Sequence, residues 1–243
     1  MKTYDLVGIG NAIVDVITKA DDSFLDHMGI EKGIMQLVER ERAELLYGAM
    51  EGRVQTPGGS VANTIAGAGA LGLSTAFIGR VHDDALGRFY ASAMNDNGID
   101  FVNPPVPGGE LPTSRSMIFV SPDGERSMNT YLGISSELSS GDVSTEVAGQ
   151  AKIMFLEGYL FDKDKGKTAF LEAARDCHKG GGKTGIAISD PFYYQYEYVS
   201  DGKSFTARAI GDLDCDGVFS TFERIGSIDA ENNVTGGAGL FKN

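Results

Sequence analysis

Pro57-Gly58-Gly59-Ser60-Val61-Ala62-Asn63-Thr64 sets two adjacent glycines directly before a run of helical character. With no Cβ atoms, Gly58 and Gly59 let backbone amides approach a ligand, and the free N–H groups of a helix start open onto the same space. The segment suits a hydroxyl-rich or anionic ligand; a tight turn before a helix is the other reading of the same residues. A second segment, Asp212 to Glu223, fits the twelve-residue calcium loop. Asp212, Asp214 and Asp216 alternate, Gly217 makes the turn, Val218 offers its carbonyl and Glu223 stands at the bidentate position. Its flanks read as strands, so it is no EF-hand, and a solvated acidic turn is the alternative to a Ca2+ site. Gly180-Gly181-Gly182-Lys183-Thr184 is not a phosphate loop. Cys177 stands where that pattern needs its first glycine, and the run follows a helix and precedes a strand, so it reads as a glycine-rich helix exit.

Strands and helices alternate around these residues. Tyr4 to Ile9, Ile13 to Ile17, Ser74 to Ile78, Phe101-Val102, Ile153 to Leu156 and Gly185 to Ser189 are short apolar runs that predict strands. Helices are expected at Glu39 to Met50, Val61 to Leu71, Ala85 to Asn95 and Lys165 to His178, the third closed by Asn97-Gly98. This order argues for a mainly parallel sheet covered by helices. The middle departs from it. Ser114 to Val120 and Arg126 to Tyr131 form a hairpin around Pro122-Asp123-Gly124 and, with Ile13 to Ile17, predict a small separate sheet. From Tyr193 the texture becomes alternating and aromatic, as in a short antiparallel β unit, with Asp201-Gly202 as a turn.

The net charge of −13, divided as −9 over residues 1–192 and −4 over 193–243, argues against nucleic-acid and anionic-membrane partners. Cys177 and Cys215 lie in different segments, the usage of a reducing compartment. No basic segment followed by a long apolar one opens the chain, and no apolar run approaches the ~20 residues of a membrane span. A cytoplasmic location is the expectation. His27, His82 and His178 share no metal-ligand spacing.

Several stretches together carry a family resemblance: Asp-Leu-Val-Gly-Ile-Gly-Asn-Ala-Ile-Val-Asp at 5–15, the glycine segment, Gly79-Arg80-Val81-His82-Asp83-Asp84-Ala85-Leu86-Gly87, Asn97-Gly98-Ile99-Asp100, Asp123-Gly124-Glu125-Arg126 and Ser189-Asp190-Pro191-Phe192. In order and spacing, residues 1–192 resemble the ribokinase/PfkB family of sugar and nucleoside kinases, closest to its adenosine-kinase-like branch. The resemblance implies an α/β fold, a truncated ribokinase-like parallel sheet with helices and a small β lid, here followed by the short antiparallel unit. It implies an ATP- and Mg2+-dependent phosphotransferase acting on an adenosine- or ribose-like hydroxyl. Asp15 would hold sugar hydroxyls, with Asn11 in the same alternation phase and Gly58, Gly59 and Asn63 as further ligand contacts; charge-assisted hydrogen bonds to a carboxylate are roughly twice as strong as neutral ones. A homodimer through the lid also fits the resemblance.

The likeness ends at Phe192. The family's Gly-Ala-Gly-Asp motif, whose aspartate is the catalytic base, has no counterpart, since Gly237-Ala238-Gly239 is followed by Leu240. Negligible phosphoryl transfer is therefore expected. Residues 193–243 resemble the C-terminal head region of a bacterial type IV pilin-like protein, without its membrane helix. The alternative function is a structural or binding chimera with a calcium-binding β segment.

Overall fold

The computed structural model describes residues 4–187, 195–200, 204–211, 220–228 and 234–242. They fall into two compact units, Met1–Ser189 and Asp190–Asn243.

In the first unit the chain runs β1 (Tyr4–Ile9), β2 (Ile13–Lys19), α1 (Asp22–Met28), β3 (Met35–Leu37), α2 (Arg40–Ala49), β4 (Val54–Gly58), α3 (Ser60–Ala70), β5 (Thr75–Ile78), α4 (Ala85–Asp96), β6 (Asp100–Phe101), β7 (Ser114–Val120), β8 (Arg126–Tyr131), α5 (Thr145–Gly149), β9 (Ala151–Glu157), α6 (Asp164–Lys179) and β10 (Lys183–Ala187). Short 3-10 turns occupy Gly133–Glu137, Ser140–Asp142 and Gly158–Asp162. Five strands in the order β10-β9-β1-β5-β6, all parallel, form the core sheet. Parallel strands need cover on both faces, and two apolar clusters supply it. Val61, Ala62 and Ile65 of α3 with Tyr90 and Met94 of α4 lie in one. Ala148 of α5 with Ala169, Phe170, Ala173 and Cys177 of α6 lie in the other. Cover thins toward β10, whose outer edge pairs with no strand among the described residues, and Ile153 and Ile186 stand 44% and 48% exposed there.

The lid is larger than the sequence suggests. Besides the three expected strands, β3 and β4 join it in the order β3-β8-β7-β2-β4, a mixed sheet. One face carries Val14, Val16, Met117 and Phe119 into the core with Leu25 of α1 and Leu46 of α2. Asp21 starts α1 by accepting from the Phe24 N–H at 2.8 Å, and Gly29 ends it in the left-handed region at φ 60°. The glycine-rich helix exit is as expected: α6 stops at Lys179, Gly181 turns the chain at φ 83° and β10 begins at Lys183.

The second unit is one antiparallel sheet, β11 (Gln195–Ser200), β12 (Ser204–Gly211), β13 (Ser220–Ile228) and β14 (Val234–Lys242), in sequential order. Of the expected calcium ligands, Asp212, Asp214, Asp216 and Val218 lie outside the described residues. The backbone of Glu223 is paired inside β13, between Arg208 and Leu240. Among the described residues no group of three or more His, Cys, Asp or Glu could hold a metal ion, and no helix is long and apolar enough to cross a membrane.

Candidate functional site

β1 belongs to the core sheet and β2 to the lid, so residues 10–12 carry the chain from one to the other at the C-terminal ends of the parallel strands, where open α/β sheets bind ligands. β4 returns it to the core at Gly58 and Gly59, where α3 begins. The fold thus brings Asn11, Asp15, Gly58 and Gly59 together from two passages.

Asp15 lies mid-strand in β2, opposite Thr56 of β4 and Ser116 of β7. Residues directly opposite share a face, so Ile13, Ile17, Val54, Ile118, Met128, Met35 and Leu37 lie on the Asp15 side of the lid. Ser116 and Thr130 join hydroxyls there at 2.8 Å. The Asp15 carboxyl has no hydrogen-bond donor among the described residues; burial raises its pKa to about 6, with the charge of Arg126 pulling the other way. A half-enclosed carboxylate without donors among the described residues leaves its acceptor capacity unused.

Both glycines are required by close approach. A Cβ on Gly58 would stand 2.5 Å from the Asp15 carboxyl carbon. One on Gly59 would stand 2.3 Å from the Asn11 carbonyl oxygen, and Gly59 is at φ 109°, where L side chains are strained. Gly59→Ala is expected to lose at least 3 kcal/mol of stability, since the clash is with backbone and adds to the conformational cost. Urea unfolding of the variant beside wild type reads this directly, and an unchanged midpoint would refute it.

Sequence reasoning missed Glu157, the most connected polar group of the site. It ends β9 and is 1% exposed. Its Oε2 accepts from the Asn11 backbone N–H at 2.6 Å and from Asn11 Nδ2 at 2.7 Å. Its Oε1 accepts from Ser60 Oγ at 2.9 Å and the Val61 N–H at 3.4 Å. Gly59, the residue before α3, offers no side chain to cap that helix, and the Glu157 carboxylate, from another strand, serves the open Val61 N–H. The Tyr90 phenol donates to the Gly58 carbonyl at 3.1 Å, and burial, with the nearby charges of Glu157 and Asp15, pushes its pKa well up.

The expected ligand contacts therefore divide. Asp15 has no hydrogen-bond partner among the described residues and packs against Gly58, while Gly59 packs against the Asn11 carbonyl. The Asn11 side chain is engaged with Glu157 and so orients the passage rather than standing open. Asn63 is exposed on the first turn of α3, tied to the site by its N–H bond to the Gly59 carbonyl at 2.9 Å.

A model of the pfkB family carbohydrate kinases matches residues 33–202. The chain belongs to that family. In structure this pfkB-family chain is similar to the adenosine kinase from Sinorhizobium meliloti, with 48% identity and a TM-score of 0.71 over 78% of this chain and 57% of that one. It is likewise similar to a probable sugar kinase protein from Rhizobium etli CFN 42, with 43% identity and a TM-score of 0.70 over the same shares. Among curated relatives, the 5-dehydro-2-deoxygluconokinase of Geobacillus thermodenitrificans (strain NG80-2) is 26% identical over 168 residues, 68% of this chain and 49% of that protein. The chain spans about half the length of the curated relatives it matches.

The family implies ATP and Mg2+. The described residues do not assemble a Mg2+ site: Glu157 is occupied by four donors and Asp15 stands alone.

Proposed function

We propose that the first unit is the acceptor-binding part of an ATP-dependent sugar or nucleoside phosphotransferase, taking a ribose-containing ligand such as adenosine. The observation that carries this reading is Asp15, a carboxylate whose pKa burial raises and which has no donor among the described residues, packed against Gly58. Adjacent hydroxyls of a ribose ring would satisfy both its oxygens. The apolar side of the lid favours a nucleoside over a bare sugar, because Met35 and Leu37 are 47% and 62% exposed on the face that carries Asp15. A base laid there removes apolar area from water. That same strip would be the contact of a lid-to-lid homodimer.

Phosphoryl transfer by this chain is expected to be negligible. Asp15 is used in holding the acceptor and Glu157 is saturated, so neither is free to take the proton of the reacting hydroxyl, and the family's Gly-Ala-Gly-Asp motif has no counterpart in the sequence. Loss of a general base costs about 10²–10⁴-fold, and loss of nucleotide positioning adds to it. Robust ATP-dependent phosphorylation of adenosine or ribose would overturn this part.

Calorimetry with adenosine and with ribose tests the binding. Because the carboxylate form accepts the hydroxyl donors, and burial holds the free pKa at about 6, affinity is expected to be level above that pH. It should weaken about tenfold per unit below it, until the lower pKa of the complex is reached. Absence of heat with both ligands, or affinity that rises on acidification, refutes the reading.

The second unit supports a second, structural reading, since its sheet is compact by itself. A pilin-like module with Ca2+ on Asp212, Asp214, Asp216, Val218 and Glu223 would be stabilised by millimolar Ca2+, and a thermal melt unmoved by it would remove that reading.

A further inference from the structure

Four stretches connect the core sheet to the lid: residues 10–12, residue 59, residues 102–113 and residue 132, after which Gly133–Glu137 turns back toward the core. The Glu157 carboxylate ties the first two. Ser135 ties the last to the first. It is fully buried, as is Ser114 of β7, and Asn11 is 3% exposed. The Ser135 N–H donates to Ser114 Oγ at 3.2 Å, and the Ile134 N–H donates to the Pro112 carbonyl of the third stretch at 3.0 Å.

The Ser135 hydroxyl has one proton and two acceptors in reach, Asn11 Oδ1 at 2.7 Å and the Leu132 carbonyl at 2.8 Å. The Leu132 carbonyl is already served by the Ser135 N–H at 3.1 Å and by Ser114 Oγ. Asn11 Oδ1 has no other donor among the described residues, and a buried acceptor left unpaired is costly. The proton therefore belongs to Asn11. The other end of that amide is fixed independently, because Nδ2 donates to Glu157 Oε2 at 2.7 Å, the oxygen that also accepts from the Asn11 backbone N–H. The result is a rod, Ser135 to Asn11 to Glu157 to Ser60, buried up to Glu157 and reaching the surface at Ser60, that runs from the lid's return stretch to the start of α3.

We propose that Ser135 is a positioning residue that locks the lid's return stretch to the floor of the ligand cleft through the Asn11 amide. Asp15 sits in the strand that leaves Asn11, so the lock sets where Asp15 stands over Gly58. The part of this that concerns affinity rests on the reading of the cleft as a ribose site; the lock itself does not.

Three variants of the full chain test it: Ser135→Ala, Ser135→Thr and, as control, Ser136→Ala; among the described residues the Ser136 hydroxyl bonds only to the Gly133 carbonyl of its own turn, at 2.9 Å. Ser135→Ala is expected to bind adenosine roughly fivefold to tenfold more weakly, the worth of one net hydrogen bond. Amide hydrogen exchange in β2, β4, β7 and β8 of the free protein should quicken by a similar factor. Ser136→Ala should change neither. Ser135→Thr keeps the hydroxyl while crowding a fully buried position, so it should lower Tm and yet restore affinity. Affinity that follows Tm across the three variants, or lid exchange in Ser135→Ala equal to wild type, overturns the proposal. If wild type does not bind adenosine, the cleft reading fails, and the exchange comparison alone decides the lock. It also decides if Ser135→Thr does not fold.

Discussion

Glu157→Ala is expected to destabilise the first unit by about 3–5 kcal/mol, the cost of leaving several buried neutral donors without their acceptor. For a unit of this size that lowers Tm by on the order of 10 °C. The reason is specific to its four partners. With the carboxylate gone, the buried Asn11 N–H, Asn11 Nδ2 and Val61 N–H lose their acceptor, and so does Ser60 Oγ on its exposed residue. The loss falls on the passage between the sheets and on the start of α3 together, so the lid and the core are expected to loosen as one. Glu157→Gln keeps one acceptor oxygen and turns a donor toward donors, and about half the loss should follow. Urea unfolding gives both values. An alanine variant within 1 kcal/mol of wild type would mean that solvent replaces the carboxylate and that the group is not closed off.

Asp15→Asn should move stability and binding in opposite directions. Because burial raises the folded pKa above the unfolded value of 3.8, the ionised form costs stability in full above about pH 6. That cost is relieved as pH falls through 6 toward 4. An amide carries no such charge, so the variant is expected to gain about 1–2 kcal/mol at pH 7.5 and to lose that advantage near pH 4. Its affinity for a ribose-containing ligand should fall at least tenfold, since a charge-assisted hydrogen bond is worth about 1.5–3 kcal/mol. Melting curves at the two pH values and one calorimetric titration suffice. A variant that is less stable at pH 7.5, or that binds as well as wild type, would show Asp15 to be an ordinary strand residue.

What could be read ahead of the structure follows from how locally each signal is written. β1, β5 and β9 are short apolar runs because both faces of a parallel sheet are buried, and α4 and α6 have the spacing of helices with one buried side. β3 and β4 escaped notice for physical reasons. β3 has three residues, and β4 contains Pro57 and ends in glycine, so neither shows the alternation of a strand; both are lid edges, where a missing N–H is tolerated. α1 did carry its signals in Asp21 and Gly29, the cap residues at its two ends. Of the site, Gly58, Gly59 and Asp15 were legible because their residue types are themselves the chemistry. Glu157 was not. It is a lone carboxylate at the end of an apolar strand, and its partners stand 96 to 146 positions away in the chain, so only the parallel pairing of β9 with β1 brings it to Asn11. Asn11, expected as a ligand contact, is engaged with that unseen residue.

The outer strand of the core sheet bears on how the protein behaves at high concentration. Among the described residues β10 has no strand on its outer edge, and Ile153 and Ile186 lie beside it; a row of backbone donors and acceptors left unpaired templates association between molecules. Among the described residues neither proline nor a bulge guards it. What opposes association is mutual repulsion among molecules of net charge −13. That protection acts through solvent, and at 1 M salt the screening length shrinks to about 3 Å. Colloidal stability is therefore tied to ionic strength, and the protein keeps best in dilute, mildly alkaline buffer, far from its isoelectric point near 4.6.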